Sequence, residues 1–365
     1  MKVLQITTHF NTGGISRYIL TLSEALISKT AEVSVASSGG DLEESLAKCR
    51  IPHRHLCINT KFEFGPKAII SGFKIAGMVR DDKIDILHAH TRVSQVAASV
   101  ASIITGVPYV TTCHGYFKKR ARGILDTWGN KVIAISGAVE KHLRNDLGVD
   151  GSRISLIYSG IDAAVFSRRY SRDEVADMKK SVGLRPGPVV GTIGRLSSVK
   201  GQKFLVAAMK DILAEMPDAQ CLIIGDGPEK PALKALAGSL GLDSSIKFIE
   251  SCVDTRKYLA MMDVFIFPSI KEGLGIALLE ALASGRACIA SKIGGIEDII
   301  TEGLNGLLVD VGDPSGIAEA AKRLLRDDLL RKNLGDEGAA LVRDKFVSGV
   351  MADKILGLYE EVIKR

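Results

Sequence analysis

Two glutamates, Glu272 and Glu280, flank a glycine-bearing turn within the stretch 268–285. The apolar run 263–267 predicts a buried strand before the turn, and the good helix formers of 277–283 predict a helix after it. The first amides of such a helix have no partner within it, and the helix dipole favours negative charge there. The two carboxylates would be roughly 8–12 Å apart at 1.5 Å per residue, which fits a nucleotide sugar with its diphosphate on the amides. The simpler alternative is that Glu280 is a solvated helix residue.

Two cations, Arg195 and Lys200, lie in the loop 194–201, which follows a predicted strand and leads into a helix. A guanidinium and an ammonium at that position can neutralise a departing diphosphate, which is an electrostatic contribution rather than a proton transfer. The alternative is a pair of solvated surface charges. The turn that contains Gly225 and Gly227 follows the next predicted strand and is suited to line a nucleotide pocket.

Three histidines follow predicted strands in the first half of the chain, namely His88, His90 and His114. His88 and His90 are separated by one alanine and have no third ligand at metal spacing, so they make a poor metal pair, and a core or capping role is expected for at least one. His114 is the better candidate for contact with a substrate because a strand positions it and a glycine follows it. As a single histidine it is also consistent with a structural role.

Gly13 and Gly14 follow the first predicted strand and open a helix, so backbone can approach a ligand closely there. They do not form the G-x-G-x-x-G fingerprint, which disfavours a nicotinamide or flavin enzyme. The sequence also lacks a Walker A loop, a serine nucleophile elbow, paired zinc-ligand spacing and a D-x-D pair after a strand. We therefore expect no metal ion and no bound cofactor.

The predicted elements alternate between strands and helices, which indicates an α/β fold with doubly wound parallel sheets. The length of 365 residues favours two domains. We assign residues 1–165 to the first domain, 166–188 to a polar linker and 189–348 to the second domain, with a cleft at the carboxyl ends of the strands. The last helix, 349–365, is expected to cross back to the first domain.

The positive charge of the chain lies in its first part. Residues 1–165 hold 20 Lys and Arg against 14 Asp and Glu, whereas the remainder holds 28 of each. The segment 116–122 combines aromatic residues with four cations, Lys118, Lys119, Arg120 and Arg122. This pattern indicates a site for an anionic acceptor or membrane surface, to which Arg17 and His90 are further candidates, with a solvated basic loop as the alternative. Without a signal peptide or a spanning segment, we expect a cytoplasmic protein with peripheral membrane contact, and no nucleic acid as partner.

The order of these motifs over nearly the full length resembles the retaining GT-B glycosyltransferases of family 4 (glycosyl transferases group 1). The resemblance is carried by Gly13-Gly14, 87–90, His114, 132–136, 157–162, Gly194-Arg195 with Lys200-Gly201, 225–228, and Glu272 with Glu280 spaced as E-x7-E. It implies two Rossmann-like domains that face each other across a cleft. Departures are Leu274 where Phe is usual, Ser159 where Asn is usual and Arg286 where Pro is usual. The first of these leaves the identity of the transferred sugar most open.

The resemblance also implies roles for these residues. Arg195 and Lys200 would contact the donor diphosphate, Glu272 the transferred sugar and Glu280 the ribose, while His114 would touch the donor sugar and Gly13 and Gly14 would lie near the reacting centre. The donor-binding backbone would run through Gly273, Leu274, Gly275 and Ile276. The implied donor is a UDP- or GDP-sugar, with an ADP-sugar as a third option, and the acceptor is a glycan or glycolipid such as a lipopolysaccharide core or lipid-linked glycan.

Two alternatives to transfer remain at this stage. A nucleotide-sugar 2-epimerase shares the architecture but consumes the donor without an acceptor. A non-catalytic nucleotide-sugar-binding protein would retain the pocket without turnover. The presence of Glu272, Glu280, Arg195, Lys200 and His114 together favours an active transferase.

Overall fold

The computed structural model of the chain describes residues 1–117, 127–252 and 254–364. It divides into two compact units, the first formed by Met1–Ile161 with Val347–Arg365 and the second by Asp162–Phe346. The predicted cations Lys118, Lys119, Arg120 and Arg122 lie outside the described residues.

Unit 1 is built on a seven-stranded parallel sheet with the strand order β3-β2-β1-β4-β5-β6-β7. Its strands are β1 (Lys2–Ile6), β2 (Glu32–Ser37), β3 (His53–His55), β4 (Ile86–Ala89), β5 (Tyr109–Cys113), β6 (Lys131–Ala134) and β7 (Ile154–Leu156). Successive side chains of a strand point to opposite faces of the sheet. Val3 accordingly joins one buried apolar cluster, while Leu4 and Ile6 join another.

Helices cover both faces of this sheet. They are α1 (Gly14–Ser28), α2 (Glu43–Lys48), α3 (Pro66–Asp82), α4 (Arg92–Thr105), α5 (Gly137–Lys141) and α14 (Ser348–Ile363). Helices α1 and α14 contribute to the cluster on the Val3 face, and α3 and α4 contribute to the cluster on the opposite face. Both faces are therefore apolar, as parallel sheets require.

Helix α14 belongs to unit 1 although it comes from the end of the chain. Ile161 pairs with Val347, and the amide of Ser348 donates to the carbonyl of Ile161 over 2.9 Å. The phenol of Tyr359 on α14 is buried and lies 2.6 Å from Nδ1 of His88 on β4. These contacts fix the last helix to the first sheet.

Unit 2 contains a six-stranded parallel sheet with the order β10-β9-β8-β11-β12-β13. Its strands are β8 (Val189–Ile193), β9 (Gln220–Ile224), β10 (Ile246–Ile249), β11 (Val264–Phe267), β12 (Ala287–Ser291) and β13 (Leu307–Val309). Its helices are α6 (Ala163–Phe166), α7 (Arg172–Ser181), α8 (Gln202–Glu215), α9 (Lys230–Ser239), α10 (Arg256–Met261), α11 (Ile276–Ala283), α12 (Pro314–Arg326) and α13 (Asp328–Lys345). The predicted pair of doubly wound, Rossmann-like parallel sheets is confirmed.

The predicted linker at 166–188 is wrong as a boundary. These residues belong to unit 2 and contain α7, whose first turn is closed by a capping box between Ser171 and Glu174. Helix α7 lies on the surface and has no fully buried residue. Its sequence is therefore mostly polar, and a polar stretch of this kind is hard to distinguish from a linker. The chain passes between the units at residues 161–162 and 346–347 instead.

Gly72 on α3 allows close packing against α4 and provides a test of this interface. A Cβ at Gly72 would lie 2.5 Å from Cβ of Val100, so Gly72→Ala forces the helices apart. We expect the free energy of unfolding of unit 1 to fall by about 1–3 kcal/mol, the usual cost of overpacking. Fluorescence of the single tryptophan, Trp128, which is buried in unit 1, would report the transition in urea.

Gly77 on the same helix is the matched control, because nothing lies within 4 Å of its Cβ position. Gly77→Ala should raise the stability by up to about 1 kcal/mol through helix propensity. Equal stability of the two variants would contradict the close α3–α4 contact.

Candidate active site

The candidate donor residues of unit 2 lie where the strand order reverses. Strands β8 and β11 are neighbours, and the strands that follow each of them along the chain lie on opposite sides. In open parallel sheets, ligands bind at the carboxyl ends of the strands at such a switch point. The loops that leave β8 and β11 there are residues 194–201 and 268–275, which carry Arg195, Lys200 and Glu272.

The two loops are joined by backbone and side-chain contacts. The amide of Ile270 donates to the carbonyl of Val199 over 2.8 Å. The ammonium of Lys200 forms an ion pair with Oε2 of Glu272 and lies 5.5 Å from the centre of the Phe267 ring. The cationic and acidic candidates that lie 72 residues apart in the sequence are therefore brought together.

Arg195 lies beside the 225–228 turn. Its side chain is exposed and forms no hydrogen bond or ion pair with another described residue, while its carbonyl accepts from Nε2 of Gln202 over 3.0 Å. Leu196 donates its amide to the carbonyl of Asp226 over 2.9 Å. A Cβ at Gly227 would lie 2.2 Å from the Leu196 carbonyl oxygen, so only glycine permits this approach. The loop 194–201 and the turn 225–228 therefore pack directly against each other on one side of the candidate site.

Helix α11 begins at Ile276, directly after Gly275, as the sequence predicts. Glu280 on this helix is only 4% exposed, so the alternative of a solvated helix residue is wrong. Its Oε2 accepts a hydrogen bond from Oγ1 of Thr255 over 3.0 Å. Leu274 is buried as well, so its side chain packs in the interior. Glu280, the fifth residue of α11, is therefore a buried carboxylate and the second acidic candidate of the site.

Unit 1 has the same type of switch point, between β1 and β4. The loop after β1 leads to Gly13 and to Gly14, which is the first residue of α1, and both glycines are exposed. The amide of Arg17 donates to the Gly13 carbonyl over 3.0 Å within this first turn. His90 follows β4 directly, and His114 follows the neighbouring strand β5. The structure thus brings these candidates to one edge of the sheet.

Hydrogen bonds hold the three histidines in two groups, one with His90 and His114 and one with His88, and the His88 and His90 ring centres are 4.2 Å apart. Nδ1 of His90 lies 3.1 Å from Nε2 of His114, and Nε2 of His90 lies 2.6 Å from Oε1 of Gln5 on β1. Nε2 of His88 lies 2.7 Å from Oγ1 of Thr112. The Tyr18 ring packs edge-on against His114, with the ring centres 4.7 Å apart.

The hydrogen bonds of His90 assign a tautomer to each of two rings. With the Gln5 amide oriented as in the structure, its oxygen only accepts, so Nε2 of His90 carries the proton. Nδ1 of the neutral His90 ring then accepts from Nε2 of His114, and Nδ1 of His114 keeps its lone pair. His114 is therefore held as a hydrogen-bond acceptor.

Burial keeps the three rings neutral. It lowers the pKa of His88 and of His114 to about 3, and lowers the pKa of His90 well below its usual value, with the neighbouring histidines as a further cause for His88 and His90. His90 is only 1% exposed, so the predicted contact of His90 with an acceptor is wrong for its side chain. Its ring contacts His114 instead.

Sequence reasoning missed the residues that hold the candidates in place. Gln5 gave a signal, because it is a polar residue in the apolar run 3–6. Thr255 and Tyr359 gave none, because their contacts join distant parts of the sequence. Within 1–117, 127–252 and 254–364, no group of three or more His, Cys, Asp or Glu side chains is arranged to hold a metal ion. Across the same residues, no helix has the length and apolar composition needed to cross a bilayer.

The buried histidines predict acid sensitivity of unit 1. An unfolded histidine has a pKa near 6.5, whereas folding lowers the pKa of His88 to about 3. The unfolded chain therefore binds more protons just below pH 6.5. We expect the free energy of unfolding to fall, between pH 6.5 and 5, by up to about 1.4 kcal/mol per pH unit for each such histidine.

Urea unfolding followed by Trp128 fluorescence at several pH values would measure this slope. His88→Gln should make the dependence on pH less steep, because it removes one of the three buried histidines, whereas His55→Gln, at an exposed histidine, is the matched control. A wild-type slope retained in His88→Gln would contradict the neutral buried network.

Two family models match the chain, and together they cover most of it. Residues 12–165 match the model for Glycosyltransferase Family 4, and residues 175–340 match the model for glycosyl transferases group 1. The N-acetyl-alpha-D-glucosaminyl L-malate synthase of Bacillus anthracis is 28% identical over 371 residues, covering 98% of this chain and 95% of that protein. The lipopolysaccharide core biosynthesis glycosyltransferase LpsE of Rhizobium meliloti is 29% identical over 364 residues, covering 96% of this chain and 98% of that protein.

Among solved structures, a glycosyltransferase from Rickettsia africae superposes with a TM-score of 0.88 at 22% identity, covering all of this chain and 99% of the other. That likeness shows the fold, which is GT-B. The motifs, the two sheets and both family models agree, and the chain therefore belongs to the group 1 glycosyl transferases, with a Family 4 domain at its amino-terminal end.

Proposed function

We propose that the chain transfers a sugar from a nucleoside-diphosphate sugar to a glycan or glycolipid acceptor. The observation that carries this proposal is the convergence of Arg195, Lys200 and Glu272 with the start of α11 around the β8–β11 switch point. Cations and the first amides of a helix together suit a diphosphate, and nearby carboxylates suit hydroxyl groups. The relatives named above carry the names of a synthase and a transferase, and neither supports the 2-epimerase alternative.

In the proposed complex, the diphosphate lies against Lys200, Arg195 and the amides of residues 273–276. Binding exchanges the contact of Lys200 with Glu272 for a contact with phosphate. Glu272 then becomes available to accept hydrogen bonds from the transferred sugar. The ion pair therefore keeps the ammonium in place before the donor arrives.

Glu280 is proposed to accept hydrogen bonds from the ribose hydroxyls. Its carboxylate is buried, and Thr255 orients it by donating to Oε2. An ionised carboxylate only accepts hydrogen bonds, so its chemistry suits a ligand that supplies hydroxyl groups. The proposed contacts involve the diphosphate, the ribose and the sugar but not the nucleotide base. We therefore propose a UDP-, GDP- or ADP-sugar as the donor.

In unit 1, we propose that His114 accepts a hydrogen bond from a hydroxyl group of the donor sugar. The network through His90 to Gln5 leaves Nδ1 of His114 as an acceptor, which suits a sugar hydroxyl rather than an anion. Gln5 and His90 are positioning residues in this account, because they set the tautomer and orientation of the ring.

We propose that transfer retains the configuration at the anomeric carbon. The bond between that carbon and the diphosphate breaks, the acceptor oxygen bonds on the same face, and the acceptor proton passes to the departing phosphate. Arg195, Lys200 and the α11 amides stabilise the negative charge that develops, so the step as proposed uses neither a metal ion nor a carboxylate nucleophile.

The proposed acceptor is a lipopolysaccharide core or lipid-linked glycan at the cytoplasmic face of the membrane. The name of the Rhizobium relative and the positive charge of residues 1–165 support this choice. The name of the Bacillus relative points to a small acceptor instead, since it describes a product of a glucosaminyl group and L-malate.

Incubation with UDP-, GDP- and ADP-sugars tests the function directly. We expect release of one nucleoside diphosphate that increases when a membrane extract is added and falls to background without a donor. Membrane-independent conversion of the donor to its 2-epimer would contradict transfer, and so would binding without any release.

Arg195 provides the sharpest single substitution. Arg195→Ala should lower kcat by about 100- to 1,000-fold, equivalent to about 2.7–4 kcal/mol, because the guanidinium stabilises charge that develops at the transition state. The assay is nucleotide release at saturating donor.

Lys203→Ala is the matched control, because Lys203 is an exposed cation on the neighbouring helix α8 and lies 5.0 Å from the Phe204 ring. It should retain the activity of the wild type. An unchanged kcat in Arg195→Ala would refute the role of this residue.

A further inference from the structure

Helix α3 and the loop before it expose a group of large apolar side chains together with lysines. We name this set the α3 patch, which comprises Phe62, Phe64, Ile69, Ile70 and Phe73 with Lys61, Lys67 and Lys74. Phe62 is 77% exposed, Phe73 61% and Ile70 56%. Among the described residues, the three exposed phenylalanines all lie in this patch. Such a concentration marks an interaction site.

The packing of α3 on α4 determines which side of α3 is exposed. Ala68, Gly72, Ile75 and Val79 are buried, and Gly72 faces Val100 of α4. At 100° per residue, Ile69, Ile70 and Phe73 lie in a stripe of roughly 100° on the other side of the helix. The exposed stripe is therefore a second apolar face.

The charges next to this stripe are positive. Lys67 and Lys74 lie along one edge of it, and Lys61 is next to Phe62 in the preceding loop. None of the three lysines forms an ion pair with another residue in the part of the chain that the structure describes. An apolar stripe bordered by lysines is typical of a surface that inserts among lipid headgroups.

The patch is also connected to the candidate site of unit 1. The loop with Phe62 follows the carboxyl end of β3, and His114 follows the carboxyl end of β5. Because the sheet is parallel, both lie on the same side of it, where the strands end. Glu63 in that loop lies 3.6 Å from Arg92, whose guanidinium stacks over Phe117 at 5.6 Å. Glu63 and Arg92 therefore connect the loop of the patch to Phe117, three residues after His114.

We propose that the α3 patch docks the protein onto an anionic lipid bilayer. Phe62, Phe64, Ile69, Ile70 and Phe73 enter the boundary between headgroups and acyl chains, and the lysines contact lipid phosphates. A second copy of the chain fits less well, because a two-fold contact through this patch places the lysines of both copies together. The proposal rests on the proposed function in one respect, that the acceptor is lipid-linked.

Flotation of the full chain with phosphatidylcholine vesicles, with and without phosphatidylglycerol, tests the proposal in the absence of any nucleotide sugar. We expect binding to the anionic vesicles that weakens with added salt. Phe62→Ser combined with Phe73→Ser should weaken binding about 100-fold, roughly tenfold for each phenylalanine. Leu329→Ser is the matched control, because Leu329 is 69% exposed on α13 in unit 2, and this variant should bind as the wild type does.

Lys67→Glu combined with Lys74→Glu should weaken binding to the anionic vesicles by about fivefold or more per lysine. The matched control is Lys180→Glu with Lys210→Glu, at exposed lysines of unit 2. Wild-type binding in both patch variants would overturn the proposal, as would absent binding of the wild type. A dimer in light scattering that the Phe62/Phe73 variant dissociates, without vesicle binding, would assign the patch to self-association.

Nucleotide release from the donor is measured on the same variants. Lost vesicle binding with intact release identifies the patch as a docking surface and leaves the transferase function standing. Vesicle binding without release from any donor would leave the docking surface standing and reject the transferase function.

Discussion

The contact between the loops after β8 and β11 is the constraint on which the candidate donor site depends. Residues 194–201 and 268–275 meet because the strand order reverses between these strands. The backbone bond from Ile270 to Val199 holds the loops together, and the ion pair of Lys200 with Glu272 joins their side chains. A half-buried pair of this kind contributes little to net stability. In the proposed function, the ion pair holds the Lys200 ammonium where an incoming diphosphate would compete with Glu272 for it.

Both units place polar side chains at the switch point of a parallel sheet, but the side chains differ in charge. Unit 2 places charged groups beside a helix N-terminus, which suits an anionic ligand. Unit 1 places neutral rings at its switch point, where burial and the hydrogen bond from His90 to Gln5 keep His114 as an acceptor. The first arrangement suits the stabilisation of negative charge, and the second suits the orientation of hydroxyl groups.

Sequence patterns predicted the local features well. The alternation of strands and helices, the start of α11 after Gly275 and the loop with Arg195 and Lys200 follow from periodicity, glycine positions and helix propensity. The change from α5, which ends at Lys141, to a π-helical turn does not follow from such patterns. The sequence of α7 resembles that of a linker because it is mostly polar, as expected of a helix in which no residue is fully buried.

The features that depend on distant contacts could not be predicted. The burial of His90 follows from its place beside Gln5 and His114, and the orientation of Glu280 follows from Thr255. Helix α3 is apolar on two sides, and only the position of α4 decides which side is exposed. The sequence shows both apolar faces but not the neighbour that covers one of them.

The central claim is that a sugar diphosphate binds where the cationic loop after β8 meets the start of α11. A crystal structure of the chain with a bound nucleoside diphosphate measures this directly. We expect both phosphates within hydrogen-bond distance of the Lys200 ammonium or the amides of residues 273–276, with the ribose at Glu280. A diphosphate bound elsewhere, with the contact between Lys200 and Glu272 unchanged, would contradict it.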